Sequence, residues 1–437
     1  MNTANAQEQK KPGQLDPAFG TQGVVFLDYP DGRRIYRPAD MVLTSSGRIL
    51  LAGTAVDSEP TGSKFALARF YQDGSKDKSF GTDGLLVGQF TPGYDARGLA
   101  PILLRDGGII LMGSQTHPAS GISYRALARF SEDGLLDTSF GNDGYVVLDL
   151  PLFQDGKPLG KPAPARAGDS PPDFRHVTGS DPLIADEKII VSDDYGPTTV
   201  TFRLNLDGTL DTTFNEVGYV AMAFANATTS LAQPLQLGSK ITSAGSVNYL
   251  DEGRVRPLLV RYTDEGQLDT SLNDSGYLVV PAGQNEAPSS QYAAIARYES
   301  GRLLAAGSTL PFSTDTQGLL ALHTAGGDMD PQFNGGSPLF ATIGTSGCQL
   351  YKVAIAPDTS HIVTVGSTLG RASTIIGRLD LSGKWDTGFG DGQGWVLINI
   401  GSDTNIPFGL TLQPDGNILV SCGQIQGNFS FLMRIQG

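Results

Sequence analysis

Short runs rich in Val, Ile, Leu and Phe, bounded by Gly and Asp turn residues, follow one another along the chain. In the first stretch GVVFLDY, RPADMVL, RILLAG and KFALARF come in succession, with turns at Ser46-Gly47 and Asp73-Gly74. Apolar runs of this length between such turns predict consecutive antiparallel strands. The central pair returns as ILLRDGGIILMG at 102–113, ARYESGRLLAAG at 296–307 and LQPDGNILVSCG at 412–423.

One landmark punctuates the runs. It reads LDPAFGTQG at 15–23, KDKSFGTDG at 76–84 and LDTSFGNDG at 136–144, then LDTTFNEVG at 210–218, LDTSLNDSG at 268–276, MDPQFNGG at 329–336 and WDTGFGDGQG at 385–394. Its aspartates, Asp16, Asp77, Asp137, Asp211, Asp269, Asp330 and Asp386, are 61, 60, 74, 58, 61 and 56 residues apart. The 437 residues therefore form seven units starting near 15, 76, 136, 210, 268, 329 and 385, not the three domains that length alone would suggest. Four strands per unit and seven units predict an all-β, seven-bladed β-propeller. The chain enters on a landmark and one strand and leaves on FSFLMRIQG, the counterpart of KFALARF, with no final strand after it. Val24–Asp28 is thus expected to pair with Phe431–Ile435 and close the ring, hiding sheet edges that would invite aggregation. Residues 1–14 are expected to be a flexible tail before a single domain at 15–437.

Within a unit, Arg69, Arg129, Arg203, Arg261, Arg378 and Arg434 hold one place near the end of the run before the landmark. In five of them the landmark Asp follows eight residues on (Asp77, Asp137, Asp211, Asp269, Asp386), and for Arg434 the partner across the closure would be Asp16. A ring of acid–base or anion sites could be built this way. Repetition in nearly every unit favours a structural clamp, because catalysis needs one site whereas a clamp is needed in every blade. His323 stands where the Arg would be, seven residues before Asp330, and is expected to be a worn clamp. Phe19, Phe80, Phe140, Phe214, Phe333 and Phe389, with Leu272, are expected core anchors. Gly20, Gly81 and Gly141, replaced by Asn215, Asn273 and Asn334, suit a left-handed backbone position.

The repeat, clearest in ALARFSEDGLLDTSFGNDG at 126–144 and ALARFYQDGSKDKSFGTDG at 66–84, resembles the delta-60 repeat family. The resemblance runs from Leu15 onward and implies a propeller-like β fold of bacterial type; it implies no reaction and no ligand site.

Charge narrows the partners. With 31 basic and 45 acidic residues the net charge is −14, which makes nucleic acid a poor general partner. No run reaches the length of a membrane span, and MNTANAQEQKKPGQ has no apolar signal core, so a cytoplasmic protein, or one exported without a classical signal, is expected. Cys348 and Cys422 permit one disulfide at most; Cys422 reads as a buried packer and Cys348 as part of a turn-like segment. The four histidines are scattered through different units, and the Asp-rich turns lack the spacing of a calcium loop, so neither metal nor cofactor is expected. No G-x-S-x-G elbow and no phosphate loop is present. Trp385 and Trp395 flank the last landmark, where packing or sugar stacking could employ them.

The third unit is the longest, and its excess is the Pro-rich stretch 151–182. It gathers Lys157, Lys161, Arg166, Arg175 and His176 on an otherwise acidic chain and should be an exposed loop, since so much proline cannot extend a central strand. Loops on rigid scaffolds are where binding concentrates. The leading expectation is a monomeric, non-enzymatic binding or scaffold protein that presents a propeller face and this loop to a protein or glycan. The alternative is a hydrolase or lyase with its site at the central channel.

Overall fold

The computed structural model describes residues 11–29, 32–56, 62–149, 187–232, 234–280, 288–310, 315–345, 347–356, 358, 360–369, 373–401, 404–424 and 429–437, with the backbone alone of 153–154, 157–158 and 183–185. It is a seven-bladed propeller of antiparallel sheets. Blades I to VI take their strands in chain order from 34–88, 95–147, 183–222, 227–279, 290–341 and 348–398. Blade VII combines 405–435 with the N-terminal strand Val24–Phe26. The first strands of neighbouring blades pack on one another and form the inner ring; Arg34–Leu43 of blade I, for example, meets Asp95–Leu103 of blade II and Asn405–Leu412 of blade VII. Blade IV departs in having its first strand split into Ala227–Leu231 and Leu235–Leu237. Within the insertion, Phe153–Gln154 pairs with Lys157–Pro158 in a two-residue ladder.

The core is divided among the gaps between blades. Leu50, Phe65 and Phe80 of blade I pack with Ala96, Ile109 and Phe130 of blade II, and comparable clusters fill every other gap round the ring. Each sheet is therefore covered on both faces, which explains why the middle strands are apolar runs rather than alternating ones. KFALARF is buried from Phe65 to Phe70, and Thr198–Leu204 is buried throughout.

The ring closes as the sequence requires. Val24 pairs with Met433, Val25 with Leu432 and Phe26 with Phe431, so the pairing strand ends two residues sooner than expected. The closing contacts begin within the segment expected to be a tail. Gly13 N–H donates to Gln436 O at 2.8 Å, Gln436 N–H donates to Gln14 O at 2.8 Å, and Gly390 N–H donates to Pro12 O at 3.1 Å. Residues 11–14 supply the turn that the other units supply before their landmarks; residues 1–10 lie outside the described residues.

Candidate functional site

The repeated arginines and aspartates lie at one end of the blades, where the third strand of each sheet runs out into the landmark. Arg69 Nε meets Asp77 Oδ2 at 2.7 Å, Arg203 meets Asp211 at 2.7 Å, Arg378 meets Asp386 at 2.7 Å, Arg434 meets Asp16 at 2.8 Å and Arg129 meets Asp137 at 3.1 Å. The same guanidinium reaches the next blade: Arg69 donates to Glu132 O at 2.5 Å, Arg203 to Asp264 O at 2.6 Å and Arg434 to Gln72 O at 2.6 Å. It also lies over the landmark ring, with Arg69 4.7 Å from the Phe80 centroid and Arg434 4.9 Å from that of Phe19. One side chain thus joins its own loop, an aromatic anchor and the following blade.

Two units depart from this plan. In blade IV, Arg261 donates to Thr242 Oγ1 at 3.2 Å and to Ala325 O at 2.6 Å, while Lys240 takes Asp269 at 2.7 Å. The expected Arg261–Asp269 contact is thus replaced by Lys240–Asp269. In blade V, His323 is no clamp. It is fully buried, its Nε2 lies 2.8 Å from the Tyr292 hydroxyl, and its Nδ1 lies 2.8 Å from Gly327 O. The carbonyl can only accept, so Nδ1 carries the proton and Nε2 accepts from tyrosine. Burial pushes the imidazole below its ordinary value. Arg302 takes over Asp330 at 3.0 Å.

Lys240 and Arg302 belong to a second series that sequence reading missed. In every blade but II, the residue at or just before the start of the second strand also points to the landmark Asp: Arg48 to Asp77 at 3.0 Å, Lys188 to Asp211 at 3.3 Å, His361 to Asp386 at 3.2 Å and Asn417 to Asp16 at 3.5 Å. Its signal is positional, the first residue after the hairpin turn in SGRIL, DEKII, GSKIT, SGRLL, TSHIV and DGNIL. These donors hold the carboxylates ionised. At Asp77, Asp211 and Asp386 burial opposes the charge, and amide and basic-side-chain donors, joined at Asp77 and Asp211 by the Ser79 and Thr213 hydroxyls, outweigh it, leaving each carboxyl below the usual range. At Asp137 the Ser139 hydroxyl is the largest influence in the same direction.

A different chemistry lies along the inner ring. First strands bulge at one height: register shifts fall between Pro38 and Met41, Gly98 and Ala100, Tyr292 and Ala294, Leu350 and Lys352, and Pro407 and Gly409. Opposite several of these bulges the second strand carries glycine, because a Cβ there would collide with the inner strand's carbonyl, Arg37 O for Gly53 and Gln349 O for Gly366. Bulges re-aim side chains. The three on blades VII, I and II surround a recess of ≈ 50 Å³. Phe408 comes from VII, Arg37 to Asp40 and Thr54 from I, and Arg97 to Leu99 from II. Behind it, Asp40 Oδ2 accepts from Lys352 Nζ of blade VI at 2.9 Å, and Asp40 Oδ1 accepts from Met41 N–H at 2.9 Å. Lys352 is fully buried, and burial pushes its ammonium below the ordinary lysine value against the pull of Asp40.

Of the residues proposed from sequence for binding, Lys161, Arg166, Arg175 and His176 lie outside the described residues, and Lys157 has only its backbone described, in the small ladder. Both cysteines are free and buried. Cys348 opens the first strand of blade VI rather than lying in a turn, and burial pushes the Cys422 thiol up to about 12. Trp385 and Trp395 pack on the cluster around Ile343 and Ile375.

Three stretches, 44–80, 104–140 and 185–214, match a family model described as a domain of unknown function (DUF5122), beta-propeller. The matched stretches fall in blades I, II and III and agree with the propeller architecture of the sheets. No curated protein matches it in sequence. Among solved structures it is similar to Drosophila Semaphorin 2a, with a TM-score of 0.50 and 9% identity over 97% of this chain and 76% of that one. The Penicillium chrysogenum alpha-L-arabinanase complexed with arabinobiose gives 0.45 and 13% identity over 94% and 97%. The beta-propeller domain of the Trilobed protease from Pyrococcus furiosus gives 0.44 and 8% over 91% and 93%. At these identities the likeness is one of fold. Among the described residues no helix is long and apolar enough to cross a membrane.

Proposed function

We propose that this chain, built from repeats of the delta-60 type, is a non-enzymatic binding protein that engages a protein or glycan through the propeller face opposite the landmarks. The observation that supports this reading is the inequality of the two ends. The third-to-fourth strand connections at 71–84, 131–144, 206–218, 263–276, 324–338 and 380–394 all carry the landmark and its clamp. The second-to-third connections at the other end share no motif and range from 196–197 to 310–317. In sequence the Pro-rich segment follows Tyr145–Val147, the outer strand of blade II, which runs out at that same end. One face repeats a structural device; the other varies from blade to blade, as a recognition surface on a scaffold does.

The test is a capture experiment with the intact chain and a chain whose 157–172 segment is replaced by a Gly/Ser linker, followed by cross-linking of any retained partner. Cross-links on the variable face, and loss of the partner from the shortened chain, are the expected result. Cross-links confined to the landmark face, or equal retention by both chains, would defeat the reading.

A further inference from the structure

Charge along the inner ring runs against that of the whole molecule. The first strands carry Arg34, Arg37, Arg97, Arg297 and Lys352 against Asp40 and Asp95, in a protein of net charge −14. Two of these arginines, Arg37 and Arg97, line the recess formed by the bulges of blades VII, I and II. Arg37 is exposed and has no acidic partner among the described residues. Thr54 also lines the recess, is 3% exposed, and makes no side-chain hydrogen bond among the described residues. The carboxylate in the wall does not oppose an anion, because Lys352 and the Met41 amide already occupy both oxygens of Asp40. The remaining wall is apolar, with Leu99 and Phe408 half-buried beside the basic groups.

We propose that this recess is a binding site for a small amphipathic organic anion, whose carboxylate or phosphate head is held by Arg37, Arg97 and the Thr54 hydroxyl and whose apolar body lies against Leu99 and Phe408. The recess holds roughly three or four water-sized groups, which suits an oxyanion head and leaves the body to extend along the channel. Planar guanidinium groups match both kinds of head in geometry, and the basic inner ring concentrates anions at the axis. Lys352 acts here as a positioning residue: by pairing with Asp40 it occupies the one carboxylate in the wall, so that Asp40 does not compensate Arg37.

Calorimetric titration of the full chain with octanoate, octyl phosphate, inorganic phosphate and octylammonium tests the site. Octanoate or octyl phosphate binds at millimolar concentration or below, whichever is tighter giving the head group, and octylammonium does not bind. Arg37→Ala and Arg97→Ala each weaken the bound anion about tenfold or more, as loss of a charged hydrogen bond requires. Arg297→Ala, on the inner strand of blade V outside the recess, leaves it unchanged. Phe408→Ala weakens octanoate without affecting inorganic phosphate. Binding of octylammonium as tight as that of octanoate, indifference to both arginine substitutions, or no response to any anion would each overturn the assignment. Arg37 is exposed, so its variant tests the site without threatening the fold. Failure here with a partner still cross-linked to the variable face would remove this site and leave the binding reading standing; the opposite outcome would do the reverse.

Discussion

Arg69 and Arg129 hold equivalent places in neighbouring blades, yet their loss should cost different amounts. The Arg69 and Asp77 side chains are 1% and 0% exposed, whereas those of Arg129 and Asp137 are 18% and 30% exposed. Removing Arg69 leaves the buried Asp77 carboxylate with only the partly exposed Arg48 as cation, so Arg69→Ala should lower stability by about 3 kcal/mol, the low end for a broken buried pair. Solvent screens the second pair, and Arg129→Ala should cost about 1 kcal/mol. Urea unfolding of the two variants checks the order; equal losses would mean that the buried charge is not what Arg69 compensates. The arginine series was legible in the sequence because one residue type recurs at one spacing. The second series was not, because Arg48, Lys188, Lys240, Arg302, His361 and Asn417 share only the ability to donate to a carboxylate. His323 shows the limit of reading by position. A histidine in the arginine's place turned inward to Tyr292, and the landmark Asp found its cation on the adjacent strand.

At the scale of the strand, the inner-ring bulge decides what the sequence could not show. The run ILLAG or IVTVG reads plainly as a strand, but its closing glycine looks like an ordinary turn residue. Only the register shows that Gly366 lies under Gln349 O, across from the bulge that sets Tyr351 and Lys352. Gly366→Ala should therefore force the inner strand of blade VI to move and cost about 1–3 kcal/mol, as overpacking does. Thermal melts would show it, and an unchanged midpoint would mean that the carbonyl can yield freely. Ring closure, by contrast, was legible, because the chain ends one strand short and begins with the strand it lacks. Deleting residues 1–28 takes away Val24–Phe26, the turn at 11–14 and the Asp16 partner of Arg434 together. The truncated chain should lose its cooperative transition in circular dichroism; a melt like that of the intact chain would refute closure by this strand.

For the molecule as a whole, the landmark carboxylates make stability depend on pH in a direction the structure fixes. Asp77, Asp137, Asp211, Asp269, Asp330 and Asp386, one in each of blades I to VI, all lie below the ordinary value of 3.8. A group with a depressed folded pKa gives its full contribution above the unfolded value and loses it as pH falls through the folded value, because the unfolded chain binds the proton first. His323 adds a term of the same sign from its ordinary value of 6.5 downward, since its buried ring resists the proton that an unfolded histidine takes up. The melting temperature should therefore decline gently from about pH 6.5 and steeply below about pH 4, where the six aspartates act together. Asp77→Asn sharpens the test by removing one titrating clamp. The variant should melt well below the parent at neutral pH, where the parent's carboxylate pairs with Arg69 and Arg48. The gap should narrow as the pH falls below about 4, because the parent's Asp77 loses its ionic pairing as it takes up its proton. A gap that stayed constant across that range would mean that Asp77 acts through its shape and hydrogen bonds alone, and that the ring of clamps does not owe its strength to charge.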